Sequence, residues 1–137
     1  MAHWQAWVDG ASRGNPGVAG IGALLVNEEG ETVKEIAEPL GITTNNVAEY
    51  SAMIRALEEA RLAGCNRLEV FTDSQLIACQ LNGTYAVKKP HLIPYYRRAK
   101  TLLDAFEYSR VQYIPREENR RADALSNLGA DKVEKRG

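Results

Sequence analysis

The chain has 137 residues, with 17 Lys and Arg against 18 Asp and Glu, a net charge of −1 and an apolar share of 45%. That suffices for a single domain spanning 1–137 with its own core, and it excludes a disordered or globally polycationic chain, so a polyanionic partner would have to meet a local basic patch. With no long apolar run, no basic-then-apolar leader and two cysteines, Cys65 and Cys79, that lack metal-type spacing, the expectation is a reduced cytoplasmic protein that does not span a membrane.

Trp4-Gln5-Ala6-Trp7-Val8 alternates as a strand does, then meets Asp9 and a Gly/Ser/Asn/Pro run over 10–17 that reads as a tight loop. Asp9 therefore stands where an apolar strand runs out, and it either opens the turn or needs a cation or water as partner. Residues 20–26 and 31–39 read as two more strands joined by the turn Asn27-Glu28-Glu29-Gly30, completing an antiparallel meander. The small Gly20 and Gly22 invite close packing over the sheet.

A long helical pattern covers 47–63, with Asn46 placed to cap its start and Gly64 to close it. Val47, Tyr50, Ile54 and Leu57 form its apolar stripe, and Glu49 leads the neighbouring row with Met53, Ala56 and Ala60. Glu49 can complete a capping box with Asn46 or project along that face. Residues 68–72 read as a strand ending at Asp73, where open α/β sheets bind ligands; Asp73 can equally cap the helix predicted over 74–81. The stretch 84–92 is polar and irregular. A helix follows over 95–106 with Arg97, Arg98 and Lys100 on its exposed side, then a strand over 109–114, a loop over 115–119 and a last helix over 120–128 ending at Gly129. By itself Asp123 in that helix reads as solvated surface, and 131–137 reads as a dispensable flexible tail.

Taken together, the carboxylates change the reading. If the first and fourth strands are neighbours, Asp9 and Asp73 converge at one place on the sheet, with Glu49 above them and Asp123 closing the group. Four clustered carboxylates repel one another unless divalent cations neutralise them. Oxygen-only ligation selects hard ions, Mg²⁺ first and Mn²⁺ as a substitute, and two ions about 4 Å apart suit an in-line phosphoryl displacement.

The chain resembles the type 1 ribonucleases H from Trp4 to about Leu128. The resemblance is carried by Asp9-Gly10-Ala11-Ser12-Arg13-Gly14-Asn15-Pro16-Gly17, Thr43-Thr44-Asn45-Asn46-Val47-Ala48-Glu49, Thr72-Asp73-Ser74-Gln75 and Arg116-Glu117-Glu118-Asn119-Arg120-Arg121-Ala122-Asp123. It implies a five-stranded mixed sheet flanked by helices and endonucleolytic hydrolysis of RNA in RNA/DNA hybrids, leaving 5′-phosphate and 3′-hydroxyl ends. It implies that Asp9, Glu49, Asp73 and Asp123 are the catalytic, metal-binding carboxylates. Ser12, Asn15, Asn45, Asn46 and Gln75 then face the 2′-hydroxyls and base edges of a wide minor groove, and Thr44 matches a position contacting a DNA-strand phosphate.

The sequence departs from the family in two places. The loop over 115–119 has no histidine, which many members use there, so Arg116 is the candidate to stabilise phosphate charge; it cannot act as a general base. The stretch 83–94 is too short for the basic protrusion that some members carry, leaving Lys88, Lys89, Arg97, Arg98 and Lys100 as phosphate contacts or a plain solvated face. No separate hybrid-binding domain precedes the first strand, so the domain is expected to bind alone, as a monomer, with double-stranded RNA open as a side substrate. A non-catalytic binding module fits less well, since clustered negative charge does not help to bind a polyanion. A DNA-directed nuclease of the same fold is disfavoured by the Asn45-Asn46 pair and the Gly-Asn-Pro loop.

Overall fold

The structure, a computed structural model, describes residues 3–136. Its elements follow the order β1 (Trp4–Gly14), β2 (Gly17–Val26), β3 (Thr32–Thr43), α1 (Asn45–Leu62), β4 (Arg67–Thr72), α2 (Gln75–Leu81), α3 (Ile93–Asp104), β5 (Tyr108–Tyr113) and α4 (Arg120–Arg136). The sheet has the order β3-β2-β1-β4-β5, with β1 to β3 antiparallel and β1, β4 and β5 parallel. The first and fourth strands are thus direct neighbours, as convergence of Asp9 and Asp73 requires. No helix among the described residues is long and apolar enough to cross a membrane.

Side-chain alternation divides the sheet into two working faces. Ala6 and Val8 of β1 and Leu68 and Val70 of β4 are fully buried in the same core as Tyr50, Met53 and Leu57 of α1, with α2 and α3 completing that layer. The opposite face receives α4, which lies across β2, β3 and β1. Here Gly20 and Gly22 act as the sequence suggested: a Cβ at either would run into the α4 backbone, at Ala130 and Ser126 respectively. Gly129 does the same from the helix side, against the Glu38 backbone.

Four local readings are corrected. The Gly-rich run is not a loop that begins at Asp9: β1 pairs with β2 as far as Gly14↔Gly17, so Asp9 lies inside the strand, directly opposite Gly22. Only 14–17 turn, with Gly14 at φ 126°. Helix α1 is capped by Thr44, whose backbone is extended and whose hydroxyl accepts from the Val47 amide; Asn46 is already helical. Gly64 does close that helix, at φ 85°. Ser74, not Asp73, caps α2. Finally, α4 does not stop at Gly129 but continues through Arg136, because that glycine is a packing contact rather than a terminator. The stretch read as a tail carries Asp131 and Glu134, each 2.7 Å from the Arg13 guanidinium; its last residue, Gly137, lies outside the described residues, as do 1 and 2.

Candidate active site

Three carboxylates meet where β1, α1 and β4 come together. One oxygen from each of Asp9, Glu49 and Asp73 lies within 4.8 Å of the other two. Asp9 is presented by the middle of β1 and is only 5% exposed. Glu49 comes from the first turns of α1, and it is no capping-box residue: its Oε1 accepts the Gly10 amide at 3.1 Å. That contact exists because Gly10 lacks a Cβ, which would otherwise overlap the Ala48 and Glu49 backbone. Asp73 follows the last residue of β4, beside Thr72, whose hydroxyl accepts the Ser74 amide and shapes the turn into α2.

The three sit in a cleft of about 460 Å³ lined also by Gly10, Ala11, Ser12, Asn45, Arg116, Asp123 and Asn127. Asp123, one turn into α4, joins the cleft wall without joining the three-carboxylate group. Of the other residues picked from the sequence, Ser12, Asn45 and Arg116 reach the wall. Asn15 stands at the hairpin tip and binds the cleft through Asn45, whose amide donates to its Oδ1 at 3.1 Å. Thr44 and Asn46 lie at the start of α1 and Gln75 at the exposed start of α2, outside that wall. Ser12 holds the hairpin to β3 by donating to the Thr43 carbonyl at 2.8 Å. Among the basic candidates, Arg98 pairs with Glu58 and Lys100 turns to the Leu81 carbonyl, which leaves Lys88, Lys89 and Arg97 exposed to solvent.

The electrostatics describe a site short of positive charge. Burial, reinforced by Asp73 and Asp123, pushes the Asp9 carboxyl up to about 7 against an opposing hydrogen bond from Ser126. Burial and then the Asp9 charge push Glu49 well above its ordinary range, with the Gly10 amide opposing. Glu49 Oε2 is buried without any hydrogen-bond partner. An all-oxygen donor set, mutual repulsion and an orphaned carboxylate oxygen fit a hard divalent cation.

Residues that the sequence did not mark also serve the site. Ser126 donates to Asp9 Oδ2 at 2.7 Å, and Asn127 donates to the Asp123 carbonyl at 3.0 Å. Fully buried Asn119 clamps the start of α4 to the Val8 carbonyl at 2.9 Å, one residue before Asp9. Asn127 was discoverable, since it lies four residues after Asp123 on the same helical face. Nothing local marked Ser126 or Asn119, whose partners are more than 100 residues away in sequence.

A family model described as reverse transcriptase-like matches residues 7–129. Ribonuclease HI of Halobacterium salinarum is 44% identical over 127 residues, 93% of this chain. The crystal structure of RNase H1 from that archaeon superposes with a TM-score of 0.91 at 43% identity, covering 95% of this chain and 98% of that one. This chain belongs to the type 1 ribonuclease H family. A second member, LC11-RNase H1 crystallised in complex with an RNA/DNA hybrid, superposes at a TM-score of 0.89 and 40% identity, covering 96% of this chain and 99% of that one. The chain spans 64% of the length of the Halobacterium ribonuclease HI and 34% of the length of three mycobacterial relatives that are 40% identical to this chain. Its five-stranded mixed sheet is therefore that of a ribonuclease H domain.

Proposed function

We propose that the chain is a divalent-metal-dependent endoribonuclease that hydrolyses the RNA strand of RNA/DNA hybrids, leaving 5′-phosphate and 3′-hydroxyl ends. The observation that carries the reading is the Asp9–Glu49–Asp73 group with its orphaned Glu49 oxygen, inside an open polar cleft. These three residues, with Asp123 on the cleft wall, would hold two Mg²⁺ ions, Mn²⁺ being the substitute. When bound, the ions supply the charge that activates the attacking water and stabilises the leaving oxygen of an in-line displacement.

The chain's own residues orient the substrate. Ser12 and Asn45 line the cleft and Asn15 braces Asn45, and theirs are the amide and hydroxyl groups that a minor groove seated on the cleft would meet. Asn46 and Gln75 extend that donor set beyond the wall, and Thr44 offers its hydroxyl edge to a phosphate of the DNA strand. Arg116 brings fixed positive charge to the cleft wall, where it opposes the build-up of negative charge on phosphate. The domain acts singly, as a monomer. Cleavage of an end-labelled hybrid, run beside matched double-stranded RNA and double-stranded DNA, tests the substrate class. Cuts confined to the RNA of the hybrid, dependent on Mg²⁺, agree with the proposal; cutting of DNA, or cutting unaffected by chelator, refutes it.

A further inference from the structure

We infer that Ser126 is a positioning residue that presets the Asp9 carboxylate for the metal. The inference rests on the functional reading above but concerns a residue outside the four carboxylates. Gly22 is the cross-strand partner of Asp9, so the two share the face toward α4. Without a Cβ at Gly22, α4 settles until the Ser126 amide lies against the strand where that atom would be. Such a close approach brings a short side chain within reach of the neighbouring strand. The Ser126 hydroxyl, fully buried, then stands 2.7 Å from Asp9 Oδ2.

A serine inside a helix ordinarily turns its hydroxyl back to a carbonyl one turn earlier, and Ser126 has that option in the Asp123 carbonyl at 2.8 Å. It has one proton for two acceptors. Once Asp9 is ionised, as a bound cation would leave it, it is the stronger acceptor, so the proton goes to Asp9 and the Asp123 carbonyl is left to the Asn127 amide at 3.0 Å. Asp9 is thereby held in one rotamer, with one oxygen tied to α4. The same helix carries Asp123 one turn earlier, so a single element sets the spacing between two carboxylates from opposite ends of the chain. Partners of this kind, orienting a ligating side chain from behind, typically change metal affinity or activity about 10- to 100-fold when removed.

The test compares wild type, Ser126→Ala and Ser126→Thr by calorimetric titration of Mg²⁺ and Mn²⁺ into substrate-free protein, by hybrid cleavage across Mg²⁺ concentration, and by thermal unfolding. The inference predicts that Ser126→Ala weakens metal binding and raises the Mg²⁺ needed for half-maximal cleavage about tenfold, with KM for the hybrid unchanged. Where Ser126→Thr folds with the wild-type midpoint, it restores both. If Ser126→Ala lowers only the unfolding midpoint and leaves metal binding within about twofold, Ser126 is a packing residue and the inference is wrong. Failure of wild type itself to bind metal or cleave hybrid would instead remove the functional reading beneath it.

Discussion

Replacing Asp9 with asparagine should stabilise the metal-free protein at neutral pH while abolishing its activity. The folded Asp9 carboxyl titrates at about 7 against an ordinary 3.8, a rise of about three units caused first by burial and then by Asp73 and Asp123. At about 1.4 kcal/mol per unit, the charged form costs the fold roughly 4 kcal/mol. Between about pH 4 and pH 7 the folded state holds a proton that the unfolded chain has released, so stability falls as pH rises through that window and the full cost is present above it. Asparagine carries no charge to bury, and the bond from Ser126 that favours the charged carboxylate is already contained in that figure. The expectation is a gain of roughly 4 kcal/mol at pH 8, vanishing near pH 4. Urea unfolding of both proteins in EDTA at these two pH values reads it directly. Added Mg²⁺ should then stabilise wild type and leave Asp9→Asn nearly unmoved. An Asp9→Asn protein less stable than wild type at pH 8, or a difference of the same size at both pH values, would refute the electrostatic reasoning.

Other substitutions separate packing from chemistry. Gly22→Ala forces a methyl into the α4 backbone and should cost about 3 kcal/mol, read by urea unfolding, with hybrid cleavage falling as Asp123 is displaced. Arg116→Ala should slow cleavage about tenfold at saturating Mg²⁺ with folding unchanged, since Arg116 is exposed on the cleft wall; a wild-type rate would end its proposed role. Hybrid affinity should fall with salt along a shallow log–log slope, close to that of three phosphate contacts, because Lys88, Lys89 and Arg97 are the candidates on that side without a partner among the described residues. A much steeper slope would place binding on basic residues elsewhere.

How far the sequence went depended on the range of the interaction concerned. The order of strands and helices was legible because each is written in local periodicity, and Gly20 and Gly22 announced the close approach of a helix without saying which one. Asp9, Glu49 and Asp73 were recognisable as carboxylates out of place on apolar elements. Bringing Asp9 to Asp73 needed the β1–β4 pairing, and bringing Glu49 to them needed the close approach of α1 over Gly10. Capping was less legible, because Thr44, Asn45 and Asn46 are all competent caps and the choice depends on where the hairpin delivers the chain. Gly129 misled for a related reason: glycine ends helices by its backbone freedom, but here it serves by lacking a side chain against Glu38. Asn119 and Ser126 were out of reach, since their partners Val8 and Asp9 come from the other end of the chain.

On the function proposed, Asp9, Glu49 and Asp73 form a metal-dependent hydrolytic centre rather than part of a binding surface. The most direct measurement is cleavage and binding of one labelled RNA/DNA hybrid by wild type and Asp73→Asn, each with Mg²⁺ and with EDTA. The account predicts RNA-strand cuts by wild type in Mg²⁺ alone, and none by Asp73→Asn, which still binds the hybrid. Equal cutting by both proteins, or hybrid binding by wild type without cleavage in Mg²⁺ or Mn²⁺, would contradict it.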